Sequence, residues 1–191
     1  MARFTRDDIL QACKLMGELA QERGAFIELR LLGGAVMAVH FEVREATQDV
    51  DALFSAPTER VRRLASEVAE RLKWPEDWLN DGAKAYVNQD SAGPILYENA
   101  GIRVQALAFE HLLAMKLMAW RDDVDFDDAE RLFRELVDGG EHDISTFGKM
   151  LKLLEPYFTP PEKQSACYAA EELWEIVHGP PGEDSEHDPS G

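Results

Sequence analysis

Asp49 and Asp51 flank a single valine in QDVDALF, a hydrophobic stretch over residues 48–54 that reads as a β-strand. Carboxylates at i and i+2 point to the same side of a strand, with backbones about 6.5 Å apart. Such a pair suits a hard divalent cation, held by both acids or bridging to a second ion. Mg²⁺ prefers oxygen ligands and commonly takes one or two carboxylates plus substrate phosphates. The alternative is that both acids cap the strand and accept local amides; the spacing alone leaves the two readings open.

Gly33 and Gly34 follow an apolar strand over residues 26–32 and precede a short apolar helix over residues 35–40. Two glycines there let backbone approach a ligand closely. The amides that follow can donate to phosphate oxygens, as at other helix N-termini. A tight strand-to-helix turn explains the same pair without a ligand. No GxxxxGK[ST] occurs, which disfavours a P-loop ATPase.

The combination is more specific than its parts: strand, Gly33-Gly34, short helix, Arg44, Thr47, then Asp49-Val50-Asp51 in a second strand. In this order the chain resembles the nucleotidyltransferase superfamily with the DNA polymerase β-like fold. The nearer resemblance is to small bacterial AbiEii-like nucleotidyltransferases, including MenT-like toxins of toxin–antitoxin systems. The resemblance implies that Gly33, Gly34, Arg44 and Thr47 hold an NTP. It also implies that Asp49 and Asp51 are catalytic and hold Mg²⁺ or Mn²⁺. A second block, KLMAWRDDVDFDD from Lys116 to Asp128, looks like the K-L-x-A-x-R…D-x-x-D segment of the same group. By that likeness Lys116 and Arg121 contact phosphate, and Asp128 or Asp125 supports the site. The bland reading of this block is a solvated helix boundary with ordinary ion pairs.

The implied activity is NMP transfer from an NTP to a hydroxyl acceptor: a tRNA end, a protein or a small molecule. A cognate antitoxin is an implied partner. One departure stands out. Many members of the superfamily carry a third metal-binding carboxylate on a later strand, but Ile102–Leu107 holds no acid, and Glu98 on the neighbouring strand is a weak substitute. The competing function is therefore a non-catalytic module that keeps the scaffold for binding.

The elements that must position these residues follow from patterning. A capped helix begins at Thr5 and ends near Gly24. An amphipathic helix covers 59–73, and a shorter helix, interrupted near Gly82, is expected over 75–87. Strands over 95–98 and 102–107 flank an Asn99-Ala100-Gly101 turn. From Phe109 onward the pattern is helical, broken at Gly139-Gly140 and Pro160-Pro161. The order predicts an α+β fold. Residues 1–108 form a small mixed β-sheet with flanking helices, and residues 109–178 a helical C-terminal half sharing the cleft. Residues 179–191 are an acidic, Pro- and Gly-rich disordered tail.

Composition sets outer bounds. With 191 residues and 45% hydrophobic content the chain can bury a sizeable core. Its 37 acidic and 20 basic residues give a net charge of −17, which repels a long polyphosphate backbone. Arg60, Arg62, Arg63, Arg71 and Lys73 form the densest basic cluster and read first as a solvated helix face. Cys13 and Cys167 are isolated, and the five histidines share no metal-ligand spacing. No apolar run approaches the roughly 20 residues that span a bilayer, and MARFTRDDILQ lacks a signal peptide's apolar stretch. The expectation is a cytoplasmic protein with no membrane partner.

Overall fold

The computed structural model describes residues 3–55, 57–89, 91–120 and 123–179. The expected tail over 179–191 lies, apart from Gly179, outside the described residues. A two-residue strand, Phe4–Thr5 (β1), leads into helix Arg6–Glu22 (α1) through a capping box. The Thr5 hydroxyl accepts the Asp8 amide at 3.2 Å, and the Asp8 carboxylate accepts the Thr5 amide at 2.9 Å. The chain then runs through Ile27–Leu31 (β2), Gly34–Val39 (α2), Ala46–Thr47 (β3), Val50–Phe54 (β4) and Thr58–Leu72 (α3). Leu79–Asn80 (β5), a 3₁₀ turn over Gly82–Tyr86, Ile95–Glu98 (β6) and Ile102–Ala106 (β7) complete the mixed part.

Five strands form one mixed sheet in the order β5-β4-β2-β7-β6. β2 lies antiparallel to β4 and parallel to β7; β5 runs parallel to β4, and β6 antiparallel to β7. Alternation decides which face is covered. Ile27, Leu29 and Leu31, Val50 and Ala52, and Ile102, Val104 and Ala106 are all buried. Between them Glu28, Arg30, Asp51, Leu53, Arg103 and Gln105 are only partly buried. α1 packs on β7 and α3, burying Ile9, Cys13, Met16 and Leu19. Burying each large aliphatic side chain contributes roughly 1.5–3 kcal/mol.

The helix meets the β6–β7 turn with backbone against backbone. A Cβ on Gly101 would lie 1.9 Å from the Gly17 carbonyl oxygen and 2.8 Å from the Gln21 amide nitrogen. The Asn99 side chain fixes the turn by accepting the amides of Gly101 at 2.9 Å and Ile102 at 3.1 Å.

Two local expectations are corrected. Residues 75–87 do not form a short helix. Leu79 is drawn into the sheet opposite Val50, and the Trp78 indole, fully buried, donates to the Ala65 carbonyl at 3.0 Å, so tertiary packing overrides the weak helical pattern. The second strand starts at Val50 rather than Gln48. The Thr47 hydroxyl donates to the Asp49 carbonyl at 3.0 Å and holds residues 48–49 in a bend. The β1–β3 pairing, Phe4 with Thr47 and Thr5 with Ala46, was not anticipated by patterning.

The chain divides into two compact units, Met1–Leu112 and Leu113–Gly191. Helix Phe109–Ala119 (α4) crosses that division. In the second unit Asp123–Gly139 (α5), Phe147–Leu154 (α6) and Lys163–His178 (α7) bury Leu132, Phe133, Met150, Leu154 and Leu173. α5 stops at the Gly139-Gly140 break, where Gly140 takes φ 65°. No helix among the described residues is long and apolar enough to cross a membrane.

Gly101→Ala forces backbone to move and should destabilise the protein by about 3 kcal/mol, the upper end of ordinary overpacking. Gly148→Ala, in α6 with nothing within 4 Å of its Cβ, should instead stabilise by up to about 1 kcal/mol. Urea denaturation of both variants measures the difference, and equal effects would contradict the packing described.

Candidate functional site

The Gly33-Gly34 pair is dictated by conformation at one position and by space at the other. Gly33 takes φ 59° and ψ −138°, in the left-handed half of the map that L side chains rarely adopt. A Cβ there would stand 3.7 Å from Asp51 Oδ2, in front of the carboxylate. At Gly34, where α2 begins, a Cβ would lie 2.7 Å from Thr47 Oγ1 and 3.5 Å from Arg44 Nη1. The turn after β2 is thus surrounded by the groups the sequence singled out: Asp51 on one side, Thr47 and Arg44 on the other.

β2 and β4 bring this about. Their antiparallel register pairs Leu31 with Ala52, and the Leu32 amide donates to the Asp51 carbonyl at 3.1 Å. The end of β2 therefore delivers Gly33 beside Asp51. Ala52 and Val50 face the core, so Asp51 faces the partly open side of the sheet. Asp49 is exposed in the preceding bend. Burial pushes the Asp51 carboxyl above its ordinary value, and the Asp49 charge adds to that. A hydrogen bond from the Asn80 side chain opposes both. Asn80 is the register partner of Asp51 in β5, and its Oδ1 accepts the Gly82 amide at 3.0 Å.

Sequence patterning missed Asn80, because residues 75–87 read as helix and a two-residue strand leaves no periodic signal. It also missed a cleft of about 400 Å³ beside the acids, lined by Gln48, Asp49, Asp77 and Asn80 over Phe4 and Trp78. Phe4, Trp74 and Trp78 form an aromatic cluster there, with ring centroids 4.7–6.3 Å apart.

The donor set, two carboxylates, suits a hard cation. Among the described residues no three His, Cys, Asp or Glu side chains group so as to hold a metal ion. A cation would therefore complete its shell with water and substrate oxygens, the habit of Mg²⁺ at phosphates. The backbone-only turn at Gly33, facing Asp51 without a side chain, leaves space for such oxygens. Glu98 is no third ligand. It lies on β6, with β2 and β7 between it and β4, about 14 Å away at ordinary strand spacing. It is also paired with Arg103 at 2.7 Å.

Lys116, Asp125 and Asp128 belong to the second unit. Lys116 on α4 pairs with Asp125 Oδ1 at 2.9 Å and Asp128 Oδ2 at 2.6 Å. The three side chains are 17%, 12% and 4% exposed. A lysine in an apolar helix needs a partner, and the first turns of α5 supply two. Arg121 lies outside the described residues. Arg60, Arg62, Arg63 and Arg71 lie on α3, where Arg62 pairs with Glu59 and Asp81, and Arg71 with Glu67.

Comparison with known proteins finds no matching family model, no matching curated protein and no matching solved structure.

Asp51 carries a testable thermodynamic signature. Its folded pKa lies above the unfolded value of 3.8, so folding favours the protonated acid. That contribution is fully present below pH 3.8 and is lost as pH rises through the folded value. At neutral pH the ionised carboxylate is therefore a liability for stability. Asp51→Asn should raise the melting temperature at pH 7 and change it little at pH 3. A lower melting temperature at pH 7 would contradict this reading of the site.

Proposed function

We propose that this chain is a metal-dependent nucleotidyltransferase that moves NMP from an NTP to a hydroxyl acceptor. The observation that carries the reading is the approach of the Gly33-Gly34 turn to Asp51, with Thr47 and Arg44 against the same turn. The strand–Gly-Gly–helix–strand order agrees with the nucleotidyltransferase fold, which is part of the proposal.

In this reading the triphosphate lies along the Gly33-Gly34 backbone, where a side chain would obstruct it. Asp49 and Asp51 would hold Mg²⁺ or Mn²⁺ there. When bound, the cation offsets charge at the α-phosphate and on the leaving oxygen. The acceptor oxygen attacks the α-phosphorus in line and gives up its proton to solvent. The bond from the α-phosphorus to the bridging oxygen of the β-phosphate breaks, and pyrophosphate leaves. Thr47 and Arg44 orient the turn and the phosphates; positioning and electrostatics supply most of the rate. Lys116 and Asp128 enter the proposal by resemblance, and their mutual ion pair is the form in which they stand.

The acceptor is a tRNA end, a protein or a small molecule. The net charge of −17 disfavours a broad nucleic-acid footprint. The role of toxin beside a cognate antitoxin belongs to the same proposal. A second reading, a non-catalytic binding module, is favoured by one observation: among the described residues no third acid groups with Asp49 and Asp51 so as to hold a metal ion.

Incubation with each labelled NTP, Mg²⁺ or Mn²⁺, and either total tRNA or cell lysate should label one acceptor class. Asp49→Asn and Asp51→Asn should each reduce labelling by at least about 100-fold, the scale of removing electrostatic transition-state stabilisation. Retained labelling in both variants would rule out the mechanism. Absence of Mg²⁺-dependent NTP binding by calorimetry would favour the module.

A further inference from the structure

Asn80 has an anchored amide, a defined partner and no role yet. Its backbone pairs with Asp51 in the parallel β4–β5 ladder. Its Oδ1 is taken by the Gly82 amide at 3.0 Å, and a Cβ on Gly82 would lie 3.2 Å from that oxygen. With the oxygen end fixed in this way, the –NH₂ end is the one left for the Asp51 carboxylate, which stands beside Asn80 on the same face of the sheet. Asn80 also lines the cleft that Asp49 and Asp77 share. It thus stands next to both acids of the pair, on the side of β4 opposite β2 and β7.

We propose that Asn80 is the third polar group of the Asp49/Asp51 site, a positioning residue whose amide holds Asp51 and whose neutrality makes cation binding depend on the nucleotide's phosphates. The inference rests on the nucleotidyl-transfer reading. Two carboxylates alone bind a hydrated divalent cation weakly, because each must displace tightly held water. A third acid beside Asp51 would supply the missing charge without any substrate. Asn80 instead supplies a donor that orients one existing ligand and adds no charge. Partners that orient a ligating carboxylate in this way typically govern about 10–100-fold of metal affinity. The consequence is order: metal and NTP enter together, and the free protein holds the cation only weakly.

Calorimetric titration of the full chain tests this, with Mn²⁺ alone and with Mn²⁺ plus the α,β-methylene analogue of each NTP. Wild type should bind Mn²⁺ weakly alone and at least about tenfold more tightly with one analogue. Asn80→Asp should bind Mn²⁺ alone at least about tenfold more tightly than wild type, and Mn²⁺ should raise its melting temperature. Asn80→Ala should gain no affinity for Mn²⁺ alone and should lose about tenfold in the presence of the analogue. Unchanged affinity in both variants would overturn the role of Asn80. A wild type that binds no analogue would overturn the transfer reading, while the metal-alone comparison of wild type with Asn80→Asp would still decide on Asn80.

Discussion

Asp51 on the open side of β4, with Asp49 in the bend that precedes it, sets the terms for the first unit. Asp51 is half sunk beside β2 and has Asp49 for a neighbour, and both hold its carboxyl above the ordinary value. In the reading proposed above, a cation at the site would relieve the cost of ionising it. The surroundings fit that purpose: a turn without side chains in front of Asp51, an arginine and a threonine against the turn, and an anchored amide behind.

The sheet supplies the rigidity the arrangement needs. β2 is central, paired with β4 on one side and β7 on the other, and its inner face is buried throughout. The Leu32 amide to Asp51 carbonyl bond fixes where β2 ends relative to β4, so the Gly33 turn cannot slide away from the carboxylate. On the far side α1 locks the β6–β7 turn through the close approach of Gly17 and Gly101. The second unit contains its own charged cluster. There Lys116 is neutralised by two aspartates, an arrangement strongly sensitive to loss of either partner.

Much of this was legible from residue patterns. Alternation in Ile27–Leu31 and Ile102–Ala106, the Asn99-Ala100-Gly101 turn and the capped start at Thr5 all express local chemistry, and the elements form where that chemistry predicts. The Gly-Gly pair and the two aspartates were legible as a constellation, and the structure places Gly33, Gly34, Arg44, Thr47 and Asp51 around one turn. What local pattern hid was set by distant partners. Leu79–Asn80 becomes a strand because Trp78 is buried and bonded to Ala65, and because Val50 offers an edge. Asp49 leaves the strand because the Thr47 hydroxyl takes its carbonyl. Glu98, a weak substitute for a third ligand on paper, is placed beyond reach by strand order alone.

The central claim is that a divalent cation and a nucleotide meet at Asp49, Asp51 and the Gly33 turn. Paramagnetic broadening of backbone amide resonances by substoichiometric Mn²⁺, with and without a non-hydrolysable NTP, locates the ion directly. The account predicts nucleotide-dependent broadening centred on Gly33, Gly34, Asp49, Asp51 and Asn80. Broadening spread over the acidic surface, or unchanged by any nucleotide, would contradict it.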